Sequence, residues 1–380
     1  MDVRNKIIVR NTVLNFFGLV VPLAVGFVTI PMVVRTLGND RFGILALVWV
    51  VFGYFGLFDL GLGRTTALVV WGALSLRVMP ALRTRPVLHG KLVRPLFSFS
   101  GWLGLSSILY AVTSSMDRLV IGSLITVEAV TFYSAPYEAI NRVGVVPGSL
   151  SMVLFPAFSY LDAGGRTDRA ETLFARSMKF LLLSTGPVFL LLMFFAGDFL
   201  RLWLGADFAA KSAFVVQVLA AGFFINTVIA VPNNYLQGIG RVDIAPKYQA
   251  FELVAFTAMT WAGAKFWGIK GVAVASAVRL VAFTLFLSAA SFKAGRVRLG
   301  FVWKKGLAGS LAALGLFAAG LAANAVLGFG VWGAGVLVLA FAGAAYFRLL
   351  DGEERAFIAG LLGIRRGAGR KDAAETEDRG

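Results

Sequence analysis

The chain has 380 residues, of which 58% are hydrophobic and only 15% charged, and its mean hydropathy is +0.80. A soluble globular domain carries about 45–50% apolar and about 25% charged residues, so a soluble fold is excluded and a membrane protein is indicated. The formal charge of +16 would suit a nucleic-acid binder only if it were clustered, and its placement along the chain shows otherwise.

The apolar residues come in long continuous runs. A transmembrane barrel would alternate with period two, so the spans are helices, which satisfy their own backbone in lipid. The fold class expected is an all-α polytopic membrane protein. The chain has no cysteine, which removes disulfides and thiolate metal sites.

In chain order, Arg4, Lys6 and Arg10 precede an apolar run from Val13 to Val34. It is longer than a signal-peptide core and lacks a small-residue cleavage site, so it reads as an uncleaved first span. A second span starts at Phe42. Its apolar character continues past Leu62 to Leu76, which as one helix is roughly 50 Å against a bilayer core of about 30 Å. A basic, proline-broken stretch follows from Arg77 to Arg94 and holds His89, read as a solvated loop residue. Further apolar runs lie at 97–120, 129–157, 178–197, 212–236, 245–267, 270–292, 305–327 and 329–348, giving about ten spans.

The basic residues test this count. With the N-terminus in the cytoplasm, the inside segments hold Arg77, Arg83, Arg85, Arg166, Arg169, Arg176, Arg241, Lys247, Lys293, Arg298 and many more. The outside segments hold Arg35, Arg41, Arg201, Lys211, Lys265 and Lys270, an asymmetry of about four to one in the positive-inside sense. Both termini are expected in the cytoplasm, and the net charge sets topology with no need for nucleic acid.

Ionisable residues inside spans are expensive and mark functional candidates. Arg142 and Arg279 lie about thirteen and about nine residues into their spans, well within the hydrocarbon. Asp117 and Arg118 lie nearer a span end. Tyr133, Tyr137, Asn141, Gly144 and Gly148 share a helical stripe, as do Ser107, Ser114 and Arg118. Such stripes line either a cavity or a helix contact. Glu138 and Arg142 are four apart and can pair. Asn226, Asn233, Asn234 and Gln237 surround Pro232, which can open a helix. Arg64 reads as a topology charge or a gate, and Asp59 and Glu252 as acids that couple to protons or pair with arginines. No metalloprotease, P-loop or nucleophile-elbow motif occurs, so an enzyme is not expected.

Some of these residues carry a family resemblance. The stretch from Asn15 to Leu68, with Pro31, Arg35 to Gly38 (RTLG), Phe42-Gly43 and Phe55 to Arg64 (FGLFDLGLGR), resembles the start of bacterial polysaccharide or O-antigen repeat-unit flippases of the Wzx type. Asp117 to Gly122 (DRLVIG), Phe132-Tyr133, Pro136 to Glu138 and Phe155 to Ala157 are similar to the start of that family's second half, and Asn233 to Gly240 (NNYLQGIG) matches in style. The resemblance covers most of residues 5–300.

It implies a two-lobed bundle of the multidrug/oligosaccharidyl-lipid/polysaccharide exporter superfamily, with a central cationic cavity and alternating access. The implied cargo is an undecaprenyl-pyrophosphate-linked oligosaccharide, whose pyrophosphate suits arginine donors. Substrate contacts are then expected from Arg142, Arg279, Arg118, Arg64, Asn141, Tyr137, Asn233 and Asn234, and gating or ion coupling from Asp59, Asp117, Glu138 and Glu252. No cofactor or metal is expected. Partners are the lipid-linked oligosaccharide, membrane lipids and polysaccharide polymerase or assembly proteins, in the bacterial cytoplasmic membrane.

Family members have more spans than this chain, and after Ala67 the sequence resembles a jump to the end of a later span. Roughly a hundred residues, about four crossings' worth, are expected to be absent from the first lobe. The domains expected are a shortened N-terminal lobe (1–78), a basic cytoplasmic loop (79–96), a C-terminal membrane region (97–350) and a charged cytoplasmic tail (351–380). Two other functions stay open here: a small-molecule or drug exporter of the same superfamily, and a non-transporting scaffold in a polysaccharide assembly complex.

Overall fold

The computed structural model describes residues 25–58, 77, 90–294, 297–328, 330–352 and 355. Most of the first span, the overlong run beyond Phe58, His89 and the tail beyond Arg355 lie outside them, as do Asp59 and Arg64. The described residues are helical almost throughout, and six stretches are long and apolar enough to cross a membrane: Val127–Ala163, Thr167–Phe194, Ala206–Gly238, Ile244–Lys293, Leu299–Leu327 and Trp332–Leu349. The chain is an all-α polytopic membrane protein. It divides into two compact units, one comprising Val25–Leu314 and the other including Gly315–Gly380.

The first unit opens with α1 (Val25–Leu37) and α2 (Asn39–Phe58). The turn between them is one residue, Gly38, whose φ of 77° suits a residue without Cβ. The sequence suggests a longer loop, because Arg35 and Arg41 flank it; both are carried on helix instead. Helix α3 (Gly90–Leu124) begins inside the expected basic loop and carries Arg94. At about 52 Å it outreaches a core of about 30 Å, so its basic first turns extend past the apolar slab.

Thr126 caps α4 (Val127–Asn141), accepting from the backbone N–H of Ala129 at 3.0 Å. The expected span 129–157 falls within one helical stretch, Val127–Ala163, that tightens into a 3₁₀ turn at Arg142–Gly144 before α5 (Val145–Ala163). Helix α6 (Thr167–Phe194) returns, and α7 (Ala196–Trp203) is a short amphipathic segment that buries Ala196, Leu200 and Trp203. Helix α8 (Ala206–Asn226) breaks at a second 3₁₀ turn, Thr227–Ile229, before α9 (Ala230–Gly238).

Both breaks have one cause. Proline has no N–H and its ring crowds the carbonyl four residues back. Pro147 therefore disturbs Val143 and Pro232 disturbs Val228, each at the centre of its 3₁₀ turn. Other prolines leave the helix intact and expose an orphan carbonyl that a neighbour satisfies. Pro31 frees the Phe27 carbonyl, which accepts from Trp203 Nε1 at 2.9 Å. Pro136 frees the Phe132 carbonyl, which accepts from Ser212 Oγ at 2.7 Å.

Helix α10 (Ile244–Lys293) is a hairpin of two limbs, 244–267 and 269–293, folded at Gly268 (φ 60°, ψ −142°). A Cβ at Gly263 would lie 2.7 Å from the carbonyl of Gly271, so the limbs meet backbone to backbone near the fold. Such small-residue contacts replace the hydrophobic drive that lipid does not supply. The buried core joins α1, α2, α3, α4, α6, α7, α8 and α10 around Tyr133, Ile140, Leu200, Val215 and Val272. Exposed Phe97, Met152, Val254 and Phe266 face outward, as lipid-facing residues do.

A short helix α11 (Leu299–Val302) and a π turn, Trp303–Leu307, lead into α12 (Ala308–Leu327). In the second unit, α12 continues from Gly315 and pairs with α13 (Gly330–Ala344). Phe317 meets Phe341 with ring centroids 5.1 Å apart, and the Asn324 amide donates to the Gly330 carbonyl at 2.9 Å.

Candidate functional site

Helix α3 presents Ser106, Tyr110, Thr113 and Asp117 at three- and four-residue spacing, hence on one face. Asp117 is buried and accepts from the Tyr133 hydroxyl on α4 at 2.7 Å. That hydroxyl also meets Ser276 Oγ on α10 at 2.9 Å. Next in sequence, Arg118 donates from Nη2 to Glu138 Oε1 at 3.0 Å, and its guanidinium lies 4.6 Å above the Tyr137 ring. The pairing of Glu138 with Arg142, suggested by their spacing, is not what the structure has. The Arg142 backbone N–H still bonds to the Glu138 carbonyl, but the Glu138 carboxylate turns to Arg118 on the neighbouring helix and the Arg142 guanidinium to Gly26 on α1.

A second buried pair bridges the α10 hairpin. Arg279 Nη1 lies 3.3 Å from Glu252 Oε1, with side-chain exposures of 7% and 5%. The Phe256 ring sits 4.9 Å from the guanidinium. Both arginines are thus held by a carboxylate on one side and an aromatic face on another.

Between α3, α4, α8, α9 and α10 lies a cavity of about 330 Å³. Tyr137 and Arg279 stand on its wall with Asn226, Asn233, Gln237 and Gln249. Ser106 donates to Gln249 Oε1 at 2.7 Å across the wall. A second cavity of about 430 Å³ adjoins it, sharing Tyr110, Phe223, Asn226 and Ile229, and reaches the 3₁₀ turns at Gly144 and Thr227. Asn141 lines this second cavity. Among the residues lining the two, Arg279 alone is charged. Amides, hydroxyls and aromatic faces of this kind hold polar, uncharged groups, with one guanidinium for an anion.

The remaining candidates stand apart from the walls. Asn234 is buried and spends its amide on the Ala230 carbonyl at 2.6 Å and on Ser151 Oγ at 2.9 Å. It braces α9 against α5. Asp117, Glu138, Glu252 and Arg118 sit behind the cavity and hold Tyr133, Tyr137 and Arg279 in place. Arg142 is different. Its guanidinium is seated on α1, where a Cβ at Gly26 would come within 2.5–2.6 Å of it. Its Nε is buried without a hydrogen-bond partner, and among the described residues no carboxylate pairs with it. Its neighbours Asn141 and Gly144 line the second cavity.

Sequence reasoning missed Ser106, Tyr110, Phe223 and Gln249. Two stripes could have revealed three of them: Ser106–Tyr110–Thr113–Asp117, and Gln249–Glu252–Phe256. Phe223 carries no such signal in an apolar span. Among the described residues no cluster of His, Asp or Glu could hold a metal ion.

Residues 31–213 match a family model described as "Polysaccharide biosynthesis protein". The match covers just under half of the chain. It contains Asp117, Arg118, Tyr137, Glu138, Asn141 and Arg142, whereas Asn233, Glu252 and Arg279 lie beyond it. Two curated relatives bear transporter or flippase names. One, named "Putative O-antigen transporter", from Shigella flexneri, is 27% identical over 197 residues, which is 52% of this chain and 46% of that protein. The other, named "Probable low-salt glycan biosynthesis flippase Agl15", from Haloferax volcanii, is 23% identical over 195 residues, 51% of this chain and 41% of that protein. The chain thus spans less than half the length of the curated relatives it matches. No solved structure matches it.

Proposed function

We propose that this chain moves an undecaprenyl-pyrophosphate-linked oligosaccharide from the cytoplasmic to the outer leaflet of a bacterial cytoplasmic membrane, for polysaccharide biosynthesis. The observation that carries the reading is Arg142: a guanidinium at bilayer depth, without a carboxylate partner among the described residues, beside a wall of neutral hydrogen-bonding groups. A pyrophosphate is the counter-ion such a group awaits, and the amides, hydroxyls and rings of the adjoining cavities suit sugar units.

In this reading Arg142 receives the phosphate first. Arg279, Tyr137, Asn233 and Asn141 contact the cargo as it moves, and Arg118 with Asn234 keeps the walls in place. Glu252 acts as an exchangeable counter-ion that releases Arg279 when phosphate arrives and reclaims it when it leaves, while Glu138 gates by holding Arg118 between α3 and α4. Asp117 positions Tyr133, and Asp59 and Arg64 belong to the gate on the first lobe. Alternating access of two lobes, the first shortened by roughly a hundred residues or about four crossings, completes the cycle. Both termini face the cytoplasm, where polymerase and assembly proteins meet the product on its way. The work is binding and release, with no covalent step.

The test is lipid-linked oligosaccharide flipping in vesicles carrying wild-type chain, Arg142→Ala or Arg142→Lys. A charge-assisted contact to phosphate is worth about 1.5–3 kcal/mol, so Arg142→Ala should slow flipping about tenfold to hundredfold, with Arg142→Lys between. Wild-type flipping by Arg142→Ala would remove this arginine from the mechanism.

A further inference from the structure

The two limbs of α10 end side by side, at the end opposite Gly268. There a groove of about 320 Å³ opens between Arg241, Ile244, Phe286, Ala289, Ala290 and Lys293. Its floor is apolar and its rim carries two cations. Arg241 lies 3.5 Å from Asp243, but that carboxylate is bound more closely by Lys247 at 2.6 Å. Lys293 has no carboxylate within ion-pair reach among the described residues. The rim is therefore net positive.

The groove is held open. Tyr248 stacks on Phe286 at 4.2 Å and on Phe283 at 5.5 Å, fixing one limb against the other just below the rim. Phe286 and Leu285 are 38% and 61% exposed, so the floor gives onto the lipid side of the hairpin. Phe286 lies seven residues before Lys293, a depth of about 10 Å. A headgroup at the rim would thus lay the start of its acyl chains along the floor. The same end of the unit carries Arg166, Arg169, Arg298, Lys304 and Lys305 in its connecting segments and adjoining helical turns, the basic excess expected on the cytoplasmic face.

We propose that this groove binds one anionic glycerophospholipid of the cytoplasmic leaflet, its phosphate between Arg241 and Lys293 and its upper acyl chain on Ile244, Phe286 and Ala290. Basic pockets between membrane helices on the cytoplasmic side take phosphate headgroups in this way. The site lies outside the cavities described above, and the proposal does not depend on what the chain transports. A bound lipid would tie the two ends of the α10 hairpin together, behind the Arg279–Glu252 pair.

The experiment is native mass spectrometry of the full chain released from nanodiscs of phosphatidylcholine with a minority of phosphatidylglycerol. Wild type should retain one phosphatidylglycerol as delipidation proceeds. Each cation near an anionic headgroup is worth about fivefold in binding, so Arg241→Gln/Lys293→Gln should weaken retention about thirtyfold. The charge-keeping pair Arg241→Lys/Lys293→Arg should restore it, which separates lost charge from lost fold. Lys304→Gln/Lys305→Gln, equally basic and nearby in sequence, should leave it unchanged. Equal retention in the glutamine pair would overturn the proposal. So would retention of phosphatidylcholine as firm as that of phosphatidylglycerol, or displacement of the lipid by millimolar inorganic phosphate or by polyprenyl phosphate, which would assign the cations to a free anion or to the cargo.

Discussion

Replacing Glu252 by glutamine removes the carboxylate that neutralises Arg279 while keeping its shape. The two charges are 3.3 Å apart and both side chains are 7% exposed or less. At an effective dielectric of about 20 their attraction is about 5 kcal/mol, most of it offset by the cost of taking both from water, so the intact pair contributes little net stability. Breaking it from one side is another matter, because the survivor is a buried, uncompensated charge costing about 3–5 kcal/mol. Glutamine still offers a carbonyl, and the Phe256 face stays 4.9 Å from the guanidinium. The expected loss is therefore at the lower end, about 3 kcal/mol. The double variant Glu252→Gln/Arg279→Gln should return to within about 1 kcal/mol of wild type, a coupling of about 2 kcal/mol or more. Denaturant unfolding in detergent, followed by tryptophan fluorescence, measures all three. Additive losses, with the double variant the least stable, would refute the claim that these residues neutralise one another.

Other consequences follow from single contacts. Gly26→Ala puts a methyl group where the Arg142 guanidinium sits; helix stability should hold or rise by about 0.5–1 kcal/mol while flipping falls toward that of Arg142→Ala, and a comparison of unfolding with vesicle transport checks it. Trp203→Phe keeps the stacking on Phe27 (4.9 Å, 18°) but strips the donor from the Phe27 carbonyl, which should cost about 1–3 kcal/mol. In a Pro31→Ala background the carbonyl regains a helical N–H, so the same change should then cost under about 1 kcal/mol in unfolding measurements. The Lys247 ammonium beside Asp243 holds its carboxyl below the usual carboxylate range. A lowered folded-state value stabilises above the unfolded value of about 3.9 and loses that stabilisation as pH falls through the folded one. Melting curves of wild type and Asp243→Asn should accordingly differ at neutral pH and converge in acid.

The sequence shows the helices far better than the contacts. Apolar runs at 178–197, 212–236 and 305–327 become helices because lipid leaves the backbone no alternative, and Gly268 was visible as the gap between runs at 245–267 and 270–292. Periodicity also placed Tyr133 and Tyr137 on one face. What it could not supply was which element would face that stripe. Glu138 has Arg142 four residues ahead in its own helical stretch and Arg118 on another helix, and spacing alone favours the local partner. The structure has the distant one: the Arg142 guanidinium lies against Gly26 on α1, and the Glu138 carboxylate reaches Arg118 on α3. The same blindness hid Gln249, which gains its meaning only from Ser106, 143 residues earlier.

The two 3₁₀ turns carry the synthesis one step further. Each lies three to five residues before a proline, each tightens a span at depth, and the second cavity reaches both, at Gly144 and at Thr227. Arg142 lies about 180° round the helix from Tyr133 at about 100° per residue, so it faces away from the stripe of Tyr133 and Tyr137, and its guanidinium lies against Gly26 on α1. The Glu138 carboxylate reaches Arg118 on α3 instead. One helix thereby carries both the partner of a paired arginine and an unpaired one, and the tightened turn before Pro147 lies beside the second cavity. Pro147→Ala tests what that turn does: with the N–H restored, Arg142–Gly144 can relax to regular α-helix, which moves Gly144 in the cavity wall, and flipping should fall. If structural data show the turn unchanged in Pro147→Ala, proline is not its cause. If the turn relaxes and flipping is unchanged, the 3₁₀ turn is not what the transport step requires.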